Sequence, residues 1–289
     1  MPEPVTHTLD VPGATLTYDV RGDLGHRPVL LVIGSPMGAS GFPTLASYFT
    51  DRTVVTYDPR GVERSVRTGA TGEVTPDDHA ADLIALIEAL DAGPVDLFAS
   101  SGGAVNALAL AAKRPDLINT LVAHEPPLAA IVPDSEAALV AVADIYDTYQ
   151  RDGMGAGMAK FIAIVSYEGE IPADYTQRPA PDPGMFGLPT EDDGSRDDAL
   201  LGQNLRNSTS YQPDFDALAK AKDHIVIGVG EESGNQLAGR GGKAAAARLD
   251  LDPVVFPGNH GGFLGNEYGQ PGKPEEFATK LREVLTTNA

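Results

Sequence analysis

The chain has 289 residues, no cysteine and a formal net charge of −20, with a sequence pI near 4.5. That length can bury a sizeable core, as one α/β domain with an insertion or as two smaller domains. The acidic balance argues against nucleic acid and anionic membranes as partners, and the lack of cysteine excludes disulfides, thiolate metal sites and a Cys nucleophile. Met1-Pro2-Glu3-Pro4 has neither the basic nor the apolar stretch of a leader, and no apolar run is as long as a membrane span, so a cytoplasmic location is expected.

Residues 15–20 alternate like an edge strand. The apolar run 29–33 reads as a buried strand, followed by a loop of small residues over 34–41 and a short helix over 42–49. A second buried strand, 53–57, runs into the polar turn Asp58-Pro59-Arg60-Gly61. Residues 77–90 place Ala81, Ile84, Ala85, Ile87 and Leu90 at helical spacing behind the cap pair Thr75-Pro76. The apolar stretch from Val95 to Ala99 then turns on Ser100, Ser101, Gly102 and Gly103 into an Ala-rich helix reaching Ala112. One more buried strand, 118–123, is closed by His124-Glu125-Pro126-Pro127.

The strand pattern stops there. Helices are predicted over 135–151 and 154–165, a Pro-, Gly- and Asp-rich loop over 178–198, and weaker helical pieces over 200–208 and 215–221. The alternation returns with a strand at 224–229, a helix at 241–249, a strand at 253–256 and a helix at 274–285. The pattern predicts an α/β fold: a mostly parallel, doubly wound sheet from residues 1–127 and 223–289, with a helical cap, 128–222, over the carboxyl ends of its strands.

Chemistry centres on Ser101. Ala99 precedes it by two positions and Gly103 follows by two, the small-x-Ser-x-Gly spacing of a nucleophile elbow. A sharp strand-to-helix turn tolerates only small neighbours, and it aims a helix N-terminus at whatever binds there. A small-residue turn of a nucleotide-binding fold is the competing reading. A Ser nucleophile needs a base. Of the six histidines, His7 and His26 sit in the polar N-terminal region, His79 in the first turns of an exposed helix and His224 just before a strand. His260 lies in a Gly-rich loop after the last strand, at the same sheet edge as Ser101, and is the candidate base.

A third group must orient the imidazole. Glu125, directly after the strand that follows the elbow helix, should reach that edge. Glu231 and Glu232 are the alternative acids, in the turn after the 224–229 strand, where Ser233 holds the place usual for Asp. Oxyanion donors are expected from the Gly102 and Ser35 backbone N–H groups; Pro36 has none to offer. Asp58, Arg60 and Ser65 read as structural support for the loop above them. Met37, Met154, Met158, Phe161, Tyr167, Met185 and Phe186 are candidates for an apolar substrate wall, with packing of the cap onto itself as the alternative for its own members. No metal or organic cofactor is implied.

With these residues placed, the chain resembles the α/β-hydrolase superfamily over nearly its whole length. The matching features are the Ala99-to-Gly103 elbow, the Ile33-to-Ser35 loop, the Asp58-Pro59-Arg60-Gly61 turn, the cap insertion and the late His260. Within it, Ser100-Ser101-Gly102 followed by His124-Glu125 and Pro127 is similar to the zearalenone lactone hydrolases. Their Ser-Glu-His triad carries Glu after that same strand, which implies Glu125 here. Haloalkane dehalogenases can place a Glu there too, but with an Asp nucleophile, which Ser101 is not. The cap is longer than in the lactone hydrolases, and none of their substrate-contacting cap residues can be assigned.

The expectation is a serine hydrolase that cleaves a carboxylic ester or lactone of a small, mainly apolar molecule through an acyl-enzyme. C–C bond hydrolysis, acyl transfer or perhydrolysis on the same triad, and a non-enzymatic ligand sensor, are the rivals.

Overall fold

In the computed structural model, which describes residues 3–25, 28–69, 72–269 and 271–287, nine strands form one sheet. They are β1 (Val5–Val11), β2 (Ala14–Arg21), β3 (Leu30–Ile33), β4 (Val54–Asp58), β5 (Val66–Arg67), β6 (Val95–Ser100), β7 (Ile118–His124), β8 (Ile225–Gly230) and β9 (Val254–Phe256). The order is β1-β2-β4-β3-β6-β7-β8-β9, with β5 against β2. Pairing is antiparallel at β1, β2 and β5 and parallel from β4 through β9. The parallel strands β3, β4 and β6 are buried along their whole length, as the continuous apolar runs require when helices cover both faces. β2 is an interior strand and not the expected edge: β1, which is mostly exposed and shows no apolar run, pairs alongside it in a hairpin.

One face of the sheet is covered by α2 (Pro76–Leu90), α3 (Gly102–Lys113) and α8 (Leu237–Arg248), which pack Leu83, Leu86, Val105, Leu108 and Ala245 against it. The other is covered by α1 (Pro43–Ser47) and α9 (Pro274–Thr287), through Leu45, Phe277 and Leu281. Each of the Leu, Val and Phe side chains contributes about 1.5–3 kcal/mol when fully buried. α2 starts at Thr75 with a reciprocal cap, Thr75 to Asp78 and back, with Pro76 in the first turn. No helix among the described residues is long and apolar enough to cross a membrane.

Between β7 and β8 the chain leaves the sheet. It forms α4 (Ser135–Asp152), α5 (Met154–Val165), a π-helical turn (Ala199–Asn204), α6 (Leu205–Ser210) and α7 (Phe215–Ala219). α4, α5 and α6 enclose a hydrophobic cluster of their own, including Ala138, Ile145, Tyr149, Ile164 and Leu205. Side chains tie this insertion to the core. His79 Nε2 lies 2.7 Å from Asn204 Oδ1, Arg67 donates to Gln203 Oε1 at 3.0 Å, and Arg240 of α8 pairs with Asp134. His79 is thus no surface residue: α2 turns it inward, where it is 1% exposed and helps to hold the cap. Burial shifts its pKa downward, consistent with a neutral ring.

α3 meets β3 so closely that only glycine fits. A Cβ on Gly103 would lie 2.8 Å from Gly34 Cα and 2.9 Å from Gly34 C, both backbone atoms that cannot rotate away. Gly103→Ala is therefore expected to destabilise the protein by about 2 kcal/mol or more, read by urea unfolding. A loss within a few tenths of a kcal/mol would mean that the helix and the loop do not approach this closely.

Candidate active site

The site is assembled where three neighbouring parallel strands end. β6 and β7 run in register to Ser100 opposite His124, and β7 and β8 to His124 opposite Gly228. The next residue on β6 is Ser101, and on β7 it is Glu125. Both adopt positive φ, 58° and 49°. A non-glycine residue pays of order 1–3 kcal/mol for such backbone, and here the neighbouring strands fix it. Ser101 N–H donates to His124 O at 3.0 Å, and Glu125 N–H to Gly228 O at 2.9 Å. The ladder thus continues sideways while each side chain turns off the strand path.

Glu125 is fully buried. Its Oε1 accepts from Gly230 N–H at 2.8 Å, and its Oε2 lies 2.7 Å from His260 Nδ1. Burial by itself would raise this carboxyl, but the His260 hydrogen bond and the neighbouring His124 and His260 rings outweigh it and hold the pKa at about 2. The ionised carboxylate can only accept, so His260 Nδ1 carries the proton and Nε2 is left to face the cavity. The His260 side chain is 40% exposed.

Glu231 and Glu232 take another course. They lie on the surface and pair with Lys273, at 3.9 Å and 2.6 Å. Ser233 is 1% exposed beside Glu125: a Cβ on Gly239 would stand 3.5 Å from both Ser233 Cβ and Glu125 Oε1.

Ser101 and His260 line one cavity of about 400 Å³ between the sheet edge and the cap. No hydrogen bond joins Ser101 Oγ to the imidazole among the described residues; such contacts are often long without substrate and tighten on binding. Ser35 and Gly102 line the cavity as well. A Cβ on Gly102 would sit 2.5 Å from Ser35 O, so glycine is what lets the two backbone segments meet. Gly102 N–H, at the start of α3, and Ser35 N–H have no partner among the described residues. The loop that carries Ser35 is held from β4: Asp58 Oδ1 accepts from Ala39 N–H at 2.8 Å, and Asp58 Oδ2 from Arg64 Nε at 2.6 Å. Ser65 Oγ donates to Asp58 O at 2.6 Å, whereas Arg60 pairs with Asp82 on α2.

The apolar wall differs from the expected set. Met37 and Phe161 line the cavity, together with Val142, Ile164, Leu200 and Leu237. Met154, Met158 and Tyr167 do not; they pack against the interior of the cap. α5 is apolar on more than one face, and its i, i+4 pair Met154 and Met158 turns away from the cavity. Tyr167 meets Tyr175 edge-on at 5.3 Å, and Arg178 lies over both rings. Met185 and Phe186 sit on an outward turn, 81% and 42% exposed. His7 stacks on Tyr18, and His224 Nδ1 lies 2.8 Å from Asn119 O on the protein surface. His26 lies outside the described residues.

A family model described as alpha/beta hydrolase fold matches residues 27–164. An esterase from Thermogutta terrifontis, solved with malate bound, superposes with a TM-score of 0.67 at 21% identity, covering 99% of each chain. The chain has the α/β-hydrolase fold. An enol-lactonase from Burkholderia xenovorans LB400 shares the hydrolase fold with a TM-score of 0.64 at 18% identity, over 97% of this chain and all of that one. In sequence, the chain is 27% identical over 284 residues to the uncharacterized hydrolase YraK of Bacillus subtilis (strain 168), covering 96% of this chain and 95% of that protein.

One residue that sequence reasoning passed over belongs to this site. His124 is fully buried among Phe98, Phe256, Phe263 and Phe277, with its ring 6.2 Å from that of His260 and Nδ1 3.4 Å from Ser100 Oγ. Burial pushes its pKa down to about 4. Its place at the end of β7, in register with Ser100, was the available signal.

Both groups make the fold acid-sensitive. A histidine with a depressed pKa stabilises fully above its ordinary value of 6.5, and that contribution is lost as the pH falls toward 4. Glu125 contributes above its ordinary value of 4.5 and loses that contribution as the pH falls through 2. Urea unfolding between pH 7 and pH 4.5 is expected to show a stability loss of which about 2–3 kcal/mol disappears in His124→Gln. Identical pH slopes for the two proteins would show that His124 titrates normally.

Proposed function

We propose that the protein is a serine hydrolase that cleaves a carboxylic ester or lactone of a small, mainly apolar molecule through an acyl-enzyme. The observation that carries this reading is the Glu125–His260 pair opening onto the same cavity as Ser101. A buried ionised carboxylate on Nδ1 fixes the tautomer in which Nε2 can take a proton. The apolar lining of that cavity suits a molecule whose only reactive polar group is the ester itself.

His260 takes the hydroxyl proton of Ser101 as the oxygen attacks the carbonyl carbon. The Gly102 and Ser35 N–H groups hold the oxyanion. Glu125 stabilises the imidazolium, which then protonates the leaving alkoxide. In the second half His260 removes a proton from water, and the hydroxide releases the acyl group from Ser101. The hydrolase YraK and the esterase and enol-lactonase folds are consistent with this chemistry. The Ser-Glu-His arrangement, with the acid after β7, is similar to that of the zearalenone lactone hydrolases, which keeps lactones within the substrate class.

Ser101→Ala is expected to lower turnover of a neutral ester by roughly a thousandfold or more. Glu125→Gln should cost on the order of a hundredfold or more, and Glu231→Gln and Glu232→Gln should cost little. Steady-state kinetics on the four variants check this. Near-normal hydrolysis by Ser101→Ala removes the nucleophile assignment; a lethal Glu232→Gln beside a mild Glu125→Gln moves the acid to the turn after β8.

A further inference from the structure

Of the polar side chains that line the cavity from the cap, Asn204 and Thr209 are already paired. Asn204 Oδ1 takes the His79 contact at 2.7 Å, and Asn204 Nδ2 donates to Ala199 O at 2.7 Å. Thr209 Oγ1 donates back to Leu205 O at 2.8 Å within its own helix. On the sheet side, Ser100 Oγ lies 3.4 Å from His124 Nδ1, and Ser35 Oγ is sealed within protein without a hydrogen-bond partner. Ser166 and Gln236 stand where solvent reaches them.

Among the described residues, Ser208 is the one buried hydroxyl lining the cavity from the cap that has no partner. It stands on α6 and is 7% exposed. It is also absent from the hydroxyls sealed inside the protein. The cap's other contributions to the cavity lining include Val142, Phe161, Ile164, Leu200 and Leu205, none of which can answer a hydroxyl. A polar group held in such a wall costs free energy unless a ligand pairs with it, and it discriminates strongly against ligands that cannot.

We propose that Ser208 is a specificity-determining residue, and that the substrate carries, besides its scissile ester, a second uncharged oxygen, a ketone or hydroxyl, that hydrogen-bonds the Ser208 hydroxyl. The second oxygen is uncharged because no Lys or Arg lines the cavity among the described residues, and the chain as a whole carries −20. A second carboxylate would be desolvated there with no cation to meet it. The substrate class is thus an oxygenated ester or lactone, as distinct from a plain hydrocarbon ester. This rests on the ester-hydrolase reading of the same site.

The test compares neutral esters in matched series, with a ketone or hydroxyl at successive positions of the acyl chain or of the alkoxy chain, each against its plain alkyl parent. Wild type is expected to favour one oxygenated position over its parent by about tenfold or more in kcat/KM. Ser208→Ala should bring that ratio near one, and Ser210→Ala, on the outer face of the same helix, should keep it. Ester hydrolysis without preference for any oxygenated member, or a preference that survives in Ser208→Ala, overturns the proposal. Labelling of Ser101 by a fluorophosphonate, read by peptide mass spectrometry, separates the two levels. With labelling and hydrolysis intact, only the Ser208 assignment is at stake; with neither, the ester-hydrolase reading falls and takes this one with it.

Discussion

A carboxylate without solvent exposure must be neutralised or fully hydrogen-bonded, and Glu125 meets that demand with the Gly230 N–H on one oxygen and His260 on the other. Much of the architecture follows from this requirement. β8 must lie beside β7 for Gly230 to reach Oε1, the loop after β9 must fold back over the sheet for His260 to reach Oε2, and the backbone at Glu125 must take a positive φ. Breaking such a pair from one side is strongly destabilising, because it strands the other partner. The same carboxylate leaves His260 Nε2 as the free nitrogen, so one interaction both supports the fold and sets the tautomer of the ring.

Glu125 sits at the end of β7, while Ser233 lies in the turn after β8 that carries the alternative acids Glu231 and Glu232. The two positions are close together in space, since both flank the point where a Gly239 Cβ would stand. Which strand supplies the carboxylate matters less to the imidazole than where the oxygens end up. Ser101 obeys a comparable constraint: its turn works because Gly102 and Gly103 let α3 lie against the Ser35 loop, which brings two free N–H groups to one edge of the cavity.

Residues whose place follows from the strand order were legible in the sequence. Ser101 and Glu125 directly follow buried strands, His260 lies beyond the partly exposed last strand, and parallel strands deliver their carboxyl ends to one edge. β1 was not legible, because an exposed hairpin strand buries too little to show a pattern. His79 was misread because its neighbours in α2 are polar, while its own side chain faces inward to Asn204, which lies 125 positions later. The cap wall failed for a related reason. α5 is apolar on several faces, and periodicity cannot tell the face that packs the cap from the face that lines the cavity; Met154, Met158 and Phe161 all pack the cap cluster, and of the three only Phe161 also lines the cavity. Ser208 carried no signal, because an unpaired hydroxyl is recognisable only once its surroundings are known.

The central claim is that Glu125 holds the Nδ1 proton of His260. Proton NMR with selectively nitrogen-15-labelled histidine addresses it directly. A far-downfield resonance coupled to the His260 Nδ1 nitrogen is predicted near neutral pH, and it should vanish in Glu125→Gln while persisting in Glu232→Gln. A His260 ring protonated on Nε2, or a downfield proton that survives Glu125→Gln, would contradict the account.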